Sequence, residues 1–437
     1  MTEAYAALSP VLLLLTFGLF VALMYARVMP ALVALPAMAV ALSIAGGMPW
    51  QRIVTVTLSE GALRLHAAYA AVIFGAVLSQ VVQRAGVAEA IVKWAAELSG
   101  ERPLLVTAVT AGVTMVLFTA LSGLGGVIMV ASIAFPILLA IGVRPLSIAG
   151  SFLIAVAIGG LMNVGNWQFF IETFGVQQST LLSFAAAMMV VSVMGLTAFL
   201  WVDVALGGRR KLWATQSFAP RREVPPLAFL TPVVPIVLVA GFTWGGQLRR
   251  LPDFFEFPPI AAMACGILWG VATANGGGKG RTQLVAASAT EGIRDAAPAI
   301  GIMIGIGMVV NAVMDPSVAG KLHPWLSRLS LRSPVAYVLA FGLGAPLALY
   351  RGPLNLFGLG AGIAVLLRDA GVVPAPAIAA ALLAVGQVQG ICDPTNTHNV
   401  WVSDYLGLDV HDVMKRTLPY AWAMALGGLV FAAWRFL

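Results

Sequence analysis

The segments GLMNVGNWQ (160–168) and GICDPTNTH (390–398) decide the fold that this sequence can adopt. Each segment follows a long apolar run, and each places polar residues where that run would otherwise continue. They lie 230 positions apart, and this offset matches Asn163 to Asp393. Self-similarity at a fixed spacing predicts that the chain is built from two structural repeats.

Three further features recur at nearly the same offset. An acidic residue followed by glycine occurs at 60–61 and at 291–292. An amphipathic stretch follows at 83–98 and at 315–329. A proline then opens an apolar stretch, Pro103 in the first half and Pro334 in the second. The order of features is therefore the same in both halves. We expect a first repeat over 1–206, a linker over 207–225 and a second repeat over 226–437.

The amino-acid composition places these repeats in a membrane. Of the 437 residues, 60% are hydrophobic and 10% are charged, and the mean hydropathy is +0.94. A soluble domain carries about 25% charged residues, so a water-soluble fold is excluded. The two cysteines, Cys265 and Cys392, lie in apolar contexts, and the sequence shows no Cys or His spacing typical of a metal site.

Apolar runs of about 17–25 residues, which are long enough to cross a bilayer as helices, recur along the whole chain. Ten such spans are predicted, at residues 9–26, 30–46, 64–82, 147–170, 180–203, 226–247, 258–274, 296–314, 374–391 and 417–436. The expected fold class is an all-α polytopic membrane protein of the bacterial inner membrane. The basic loop at 209–222 is expected to be cytoplasmic, with both termini on the opposite side, because Lys and Arg concentrate in cytoplasmic loops.

Two apolar stretches, 103–141 and 334–367, are too long for one span and are interrupted by polar turns. The turns read LSGLGG at 121–126 and RGPLN at 351–355. Re-entrant hairpins are favoured over pairs of crossings, because a polar turn in hydrocarbon leaves backbone groups unpaired unless protein or a wet cavity surrounds it. Five crossings and one hairpin per repeat then give the two repeats opposite orientations in the membrane.

The two hairpin tips and the two interrupted helices form the predicted binding site. We refer to the interruptions at 163–168 and 393–399 as break 1 and break 2. Inverted-repeat transporters place their sites near the membrane midplane between broken helices, although ordinary glycine-rich helix packing is an alternative explanation for the tips. The expected substrate-binding residues are Ser122, Gly123, Gly125, Asn166, Arg351, Gly352, Asn355, Thr395, Asn396 and Thr397.

Ionisable groups in these elements indicate the coupling chemistry. A charged side chain in a spanning helix costs about 2.5–3.5 kcal/mol on insertion scales and commonly marks a proton or cation site. Asp393 is the main candidate, with Asn163 and His398, although His398 is more commonly a packed, hydrogen-bonded residue. Asp393-Pro394 also has the composition of a helix start, where Asp393 would be a cap. Arg351 fits bidentate binding of a carboxylate or extension to the membrane interface.

The repeated order of spans, amphipathic helix, hairpin, broken helix and final span resembles the ion transporter superfamily, which includes divalent anion:sodium symporters, citrate permeases and gluconate permeases. The symporter branch carries Ser-Asn-Thr at tips and breaks, and this chain has Ser122-Gly123-Leu124 at one tip and Thr395-Asn396-Thr397 at break 2. The resemblance implies a homodimer with elevator-type scaffold and transport domains. By position, the scaffold would hold 1–82 and 180–314, less the amphipathic arms, and the transport domain would hold 102–175 and 333–412.

Secondary transport is the function that these features favour. The expected activity is H+- or Na+-coupled uptake of a small organic anion, a carboxylate, with no cofactor beyond Na+ as a coupling ion and with the lipid bilayer and a second copy of the chain as partners. A Na+/H+ antiporter on the same scaffold is the alternative. A membrane scaffold or an enzyme subunit is disfavoured, because the sequence shows no nucleophile, metal cluster or phosphate loop. The net charge of +7 reports orientation rather than nucleic-acid binding.

Overall fold

The computed structural model describes residues 2–26, 28–99, 102–206, 224–248, 256–275, 278–326, 331–356 and 360–437, and these fold into helices joined by short turns. The helices of the first half are α1 (Thr2–Tyr25), α2 (Ala31–Ala45), α3 (Trp50–Arg84), α4 (Val87–Ser99), α5 (Pro103–Phe118), α6 (Gly123–Ala140), α7 (Pro145–Leu161), α8 (Val164–Phe174) and α9 (Gln178–Ala205). Those of the second half are α10 (Val234–Leu248), α11 (Pro259–Thr273), α12 (Gly278–Met314), α13 (Pro316–Leu326), α14 (Pro334–Gly344), α15 (Ala361–Asp369), α16 (Ala375–Cys392), α17 (Thr397–Tyr405) and α18 (Val410–Phe436).

The predicted fold class, an all-α multi-pass membrane protein, is confirmed. In the described part of the chain, 6 helices are long and apolar enough to cross a bilayer. Helices α7 and α8, bent by 58° at break 1, are apolar enough together to make a seventh crossing if the bent pair is one span. Shorter apolar helices account for the remaining predicted spans. Helix α6, in the first predicted hairpin, is by itself long enough to cross a bilayer. The choice between re-entrant hairpins and crossing pairs therefore stays a prediction. The basic loop at 209–222 lies outside the described residues.

Helices α3 and α12 begin well before the spans predicted at 64–82 and 296–314. Helix α3 begins at Trp50 and contains a π-helical stretch, Ile53–Glu60, while α12 begins at Gly278. Charged residues interrupt the apolar run in both N-terminal extensions, which is why hydropathy alone missed them. A helix satisfies its own backbone, so a polar residue on its exposed face does not end it.

The two long helices α3 and α12 contact each other through residues that the repeat relates. An offset of 231 positions matches Gly61 to Gly292 and Val77 to Met308. A Cβ atom at Gly61 would lie 2.7 Å from Cα of Met308, and a Cβ atom at Gly292 would lie 2.8 Å from Cα of Val77. The same close backbone approach is thus made twice with the halves exchanged, as across a two-fold axis.

A pair of polar contacts obeys the same exchange. Nη1 of Arg64 donates to Oδ1 of Asn311 over 2.7 Å, and Nε2 of Gln80 donates to Oδ2 of Asp295 over 2.8 Å. At the offset of 231, Arg64 corresponds to Asp295 and Gln80 corresponds to Asn311. The charged member of the pair is therefore positive in the first repeat and negative in the second, while both repeats make the same contact. These reciprocal contacts support two repeats, whose exact bounds stay a prediction.

Several of the other helices form a second group beside the long helices. Helices α7, α9, α16 and α18 pack on one another, with hairpin helix α5 against α7 and α14 against α18. Helix α2 packs on α12, and its counterpart α11 packs on α3. The two groups meet where α8 lies along α3 and α15 lies along α12.

We expect Gly292→Ala and Gly61→Ala to destabilise the protein by similar amounts, about 1–3 kcal/mol each, because the added methyl group overpacks a backbone contact. Thermal unfolding of purified protein in detergent measures the loss. Gly112→Ala is the matched control, since no atom lies within 4 Å of its Cβ position. A Gly292→Ala variant as stable as Gly112→Ala would contradict the proposed contact.

Candidate functional site

Break 1 is tied to the first hairpin tip by the side chain of Asn163, the N-cap of α8. Its Oδ1 accepts a hydrogen bond from the N–H of Gly165 over 3.0 Å. Its Nδ2 donates to the carbonyl oxygens of Phe118 and Leu121, at the end of α5 and in the tip, over 3.3 and 3.1 Å. One buried carboxamide therefore satisfies backbone groups that both interruptions leave without helical partners.

Break 2 is tied to the second hairpin tip by the carboxylate of Asp393, which is 2% exposed. Its Oδ1 accepts from the N–H groups of Tyr350 and Thr395 over 3.0 and 2.9 Å, and from the Thr395 hydroxyl over 2.7 Å. Its Oδ2 accepts from Nδ2 of Asn355 over 3.3 Å. Two of these donors, Tyr350 and Asn355, belong to the tip, so the carboxylate joins the two elements.

Asn163 and Asp393 occupy equivalent positions but use opposite hydrogen-bonding polarity toward their tips. In each break a side-chain oxygen accepts from the N–H two residues later, in Gly165 or Thr395. Asn163 also donates to carbonyl groups of the first tip, whereas Asp393 accepts from N–H groups of the second tip. A carboxamide carries both donors and an acceptor, while an ionised carboxylate only accepts. The difference between the two residues therefore follows the backbone groups that each tip presents.

The second tip contains backbone that needs this support. Tyr350 has φ 54° and ψ 33°, a left-handed conformation that is uncommon for residues other than glycine. At Gly352 a Cβ atom would collide with the carbonyl oxygen of Leu347, so only glycine fits. The tip is held further by Nδ2 of Asn355 donating to the Ala348 carbonyl over 3.0 Å. Strained backbone of this kind persists where surrounding contacts fix it.

The first tip turns at Gly123, which has φ 72°, a conformation that glycine adopts without strain. The N–H of Ser122 donates to Oγ of Ser79 in α3 over 3.4 Å. Nε2 of Gln83 donates to the same hydroxyl over 3.0 Å. Ser122 therefore lies against the C-terminal end of α3, and so does Gly125, where a Cβ atom would lie 3.8 Å from Oε1 of Gln83.

The other predicted residues are distributed over both breaks. Asn166 is exposed, and its Nδ2 donates to the Gly160 carbonyl over 3.4 Å. Thr397 is exposed and begins α17, with Asn396 as the N-cap. The backbone of Arg351 ends the 3-10 turn of the second tip, but its side chain lies outside the described residues.

The composition of Asp393-Pro394 allowed a helix start at this point, but no helix starts there. Helix α17 begins at Thr397, because the Asp393 carboxylate closes a turn onto Thr395 and reaches the second tip instead of capping the next turn of helix. Asn399, which the sequence analysis did not select, donates from Nδ2 to the Asp393 carbonyl over 3.0 Å. Asn399 lies six residues after the start of break 2, within the same polar run. That position is the sequence signal that could have identified it.

Break 2 and the preceding helix α16 contain buried polar atoms that lack hydrogen-bond partners among the described residues. They are Nδ1 of His398, Oδ1 of Asn399 and, further up α16, Oε1 of Gln387. We expected a packed, hydrogen-bonded His398, but its Nδ1 has no hydrogen-bond partner among the described residues. Buried acceptors without donors are costly in a low-dielectric interior, so break 2 has spare hydrogen-bonding capacity.

The two breaks adjoin each other through α7 and α16. A Cβ atom at Gly390 would lie 3.6 Å from Cβ of Ala157. These positions precede Asp393 by three residues and Asn163 by six, so the breaks lie within roughly 14 Å along the helix axes at 1.5 Å per residue. Contacts also cross between repeats, since Phe135 of α6 lies 5.5 Å from the ring of Tyr405 in α17. Tips and breaks therefore gather in one region.

We expect Asp393→Asn to loosen the second hairpin and Asn163→Asp to loosen the first. Each exchange turns a donor toward a donor or an acceptor toward an acceptor. Hydrogen bonds between neutral groups, as at Asn163, are worth about 0.5–1.5 kcal/mol, and those to a charged group such as the Asp393 carboxylate are worth about 1.5–3 kcal/mol. Hydrogen exchange measured by mass spectrometry should show faster exchange in 334–356 for Asp393→Asn and in 103–126 for Asn163→Asp. Each variant is the control for the other, and equal effects of either one on both hairpins would contradict the assignment.

Solved structures share this fold, although no protein-family model and no curated protein sequence matches the chain. The YdaH transporter of Alcanivorax borkumensis aligns with a TM-score of 0.59 and 16% identity over 88% of each chain. MtrF of Neisseria gonorrhoeae, from a class of antimetabolite efflux pumps, aligns with a TM-score of 0.50 and 12% identity over 88% of this chain and 82% of its own. Both are transport proteins rather than enzymes, so this chain has a fold that membrane transporters use.

Proposed function

We propose that this chain is a secondary active transporter that couples uptake of a small organic anion, a carboxylate, to an inward cation gradient across the bacterial inner membrane. One observation carries the proposal: in both halves a buried polar side chain, Asn163 or Asp393, joins a broken helix to a hairpin tip. Polar interruptions inside a bilayer are tolerated where they line a cavity or are enclosed by protein. The fold shared with YdaH and MtrF supports the same class of function.

The coupling ion is proposed to be a proton acting at Asp393, with Na+ as the competing ion. Four contacts of this carboxylate come from N–H or O–H donors, whose hydrogen atoms would repel a metal cation. A proton changes the same site differently, because a protonated carboxyl group donates through one oxygen. Protonation would oppose the N–H of Tyr350 or the amide of Asn355 and would release the second tip. Asn163 and His398 complete the proposed cation or proton region.

The anion is proposed to bind between the tips and breaks. Helix α6 begins at Gly123 and helix α8 begins at Val164, directly after Asn163, and the N–H groups of helix N-termini attract negative charge. Arg351 follows Tyr350 directly in the chain and would supply a bidentate partner for a carboxylate. Ser122, Gly125, Asn166, Gly352, Asn355 and the segment 395–397 are proposed to complete the lining. A homodimer and elevator-type movement are part of the same proposal.

We expect proteoliposomes containing the protein to accumulate at least one carboxylate from a panel of mono-, di- and tricarboxylates when an inward proton gradient is imposed. Arg351→Gln should abolish accumulation, and Arg281→Gln, on the exposed face of α12, is the matched control. An inward Na+ gradient at constant pH tests the competing ion. The proposal fails if neither gradient drives any carboxylate into the liposomes in either orientation of the protein.

The Na+/H+ antiporter is separated from the symporter by the same variant. Antiport needs no anion site, so Na+-dependent proton movement that persists in Arg351→Gln would favour it. The direction of anion movement is tested by loading the carboxylate inside the liposomes, because MtrF belongs to a class of efflux pumps. Export against an inward proton gradient would replace uptake by proton-coupled efflux.

A further inference from the structure

Three charged residues that belong to neither the tips nor the breaks meet where α7, α9 and α18 come together. Arg144 directly precedes α7, Asp203 lies in the last turn of α9, and Arg416 lies in the second turn of α18. Each of them lies at the end of a span predicted from hydropathy, so the group belongs at the membrane surface. We refer to these three residues as the interface triad. The basic loop at 209–222, expected to be cytoplasmic, follows Asp203 closely in the chain.

The two arginines share the carboxylate of Asp203, which is 2% exposed. Its Oδ1 accepts from Nη2 of Arg144 over 3.2 Å and from Nη2 of Arg416 over 2.7 Å, and its Oδ2 accepts from Nε of Arg416 over 2.9 Å. Nη2 of Arg144 also donates to the carbonyl oxygen of Asp203 over 2.6 Å, at the helix end where carbonyl groups lack helical partners. The two guanidinium groups are held side by side, because both contact the same carboxylate oxygen.

The interface triad keeps an excess positive charge and unused donors. One arginine would neutralise the carboxylate, but two contact it. The single acidic residue of α18, Asp412, is paired with Lys415 over 3.6 Å. Nε of Arg144 is buried without an acceptor among the described residues, and Nη1 of each arginine also has none there. The side chains of Arg144 and Arg416 are 36% and 41% exposed, so a further anion can reach them.

The second repeat shows that the fold does not require these charges. At the offset of 230 that matches the breaks, the three positions of the interface triad correspond to Pro374, Ala433 and Ala186, none of which is charged. In the expected inverted topology these counterparts lie at the opposite membrane surface. The charged group is therefore confined to the surface expected to be cytoplasmic. Anionic lipids give the cytoplasmic leaflet its negative potential, and basic pockets between helices on that side bind their head groups.

Exposed apolar side chains adjoin Asp203 in the chain on both sides. Trp201 is 62% exposed and Leu206 is 66% exposed. Tryptophan is enriched at membrane interfaces, where its ring lies at the level of the lipid head groups. A ligand of the interface triad would thus meet positive charge at one end and apolar surface at the other, which is the chemistry of a phospholipid with a net negative charge.

We propose that Arg144 and Arg416, held side by side by Asp203, bind the phosphate group of an anionic phospholipid in the leaflet expected to be cytoplasmic. Nη1 of each guanidinium donates to a phosphate oxygen, and hydrogen bonds of this kind, between ionised partners, are roughly twice as strong as neutral ones. The lipid neutralises the remaining positive charge, and its acyl chains lie along Trp201 and Leu206. This site goes beyond the proposed function, because it requires the membrane fold and no particular transported substrate.

Native mass spectrometry of delipidated protein, titrated with phosphatidylglycerol or with phosphatidylcholine of the same acyl chains, tests the site. Both lipids carry a phosphate, but only phosphatidylglycerol has a net negative charge. We expect about five-fold tighter binding of phosphatidylglycerol, the factor that about 1 kcal/mol per basic residue at an anionic lipid surface gives. Arg144→Gln should abolish this preference, because Asp203 stays paired with Arg416 and the interface triad becomes neutral. Lys415→Gln, whose side chain is 72% exposed, removes the same charge nearby and should keep the preference.

Equal affinity of the unmodified protein for the two lipids overturns the proposal, whether or not the variants fold. A preference that Arg144→Gln keeps overturns it as well, even if the melting temperature falls, since Arg144 would then only join helices. Equal losses in Arg144→Gln and Lys415→Gln also contradict it, because the charge of the whole surface would then select the lipid. Displacement of phosphatidylglycerol by millimolar inorganic phosphate would assign the interface triad to a soluble anion and overturn the lipid site.

Discussion

A backbone interrupted inside a bilayer has no water to satisfy it, and the rest of this structure depends on how the chain meets that constraint. Each half contains a broken helix and a hairpin tip, and the two interruptions in a half satisfy each other. Asn163 supplies donors to carbonyl groups of its tip, and Asp393 supplies acceptors to N–H groups of its own. In each half, one buried side chain therefore links the two polar interruptions by hydrogen bonds.

This pairing separates the molecule into two kinds of contact. Tips and breaks are joined by short, directional hydrogen bonds, whereas α3 and α12 approach each other through glycines that allow backbone to meet backbone. Contacts between the two groups include exposed or half-exposed polar residues such as Asp295 and Glu172. Such contacts are exchanged at lower cost than packed glycine contacts, because water can replace a partner at an exposed polar group.

Much of this arrangement is visible in the sequence, and what is missed has physical reasons. The repeat, the spans and the placement of both breaks follow from hydropathy and from polar residues at matched positions. The long N-terminal extensions of α3 and α12 do not, because exposed charged residues such as Glu60 lower the hydropathy without ending the helix. The left-handed backbone of Tyr350 and the charge reversal between Arg64 and Asp295 depend on contacts between distant segments. A pattern along the chain carries no information about which partner each residue meets.

The central claim of the proposed transport function is an elevator-type movement, in which each hairpin and the broken helices would move as one body against the long helices. Distances between pairs of spin labels, measured by double electron–electron resonance in lipid nanodiscs, test it most directly. Labels at Ser132 in α6 and Val400 in α17 lie within the moving group, and a label at Leu268 in α11, which is 68% exposed, lies outside it. We predict one narrow distance distribution between positions 132 and 400, and two populations between positions 132 and 268. A single narrow distribution for both pairs, or broadening between positions 132 and 400 alone, would contradict the account.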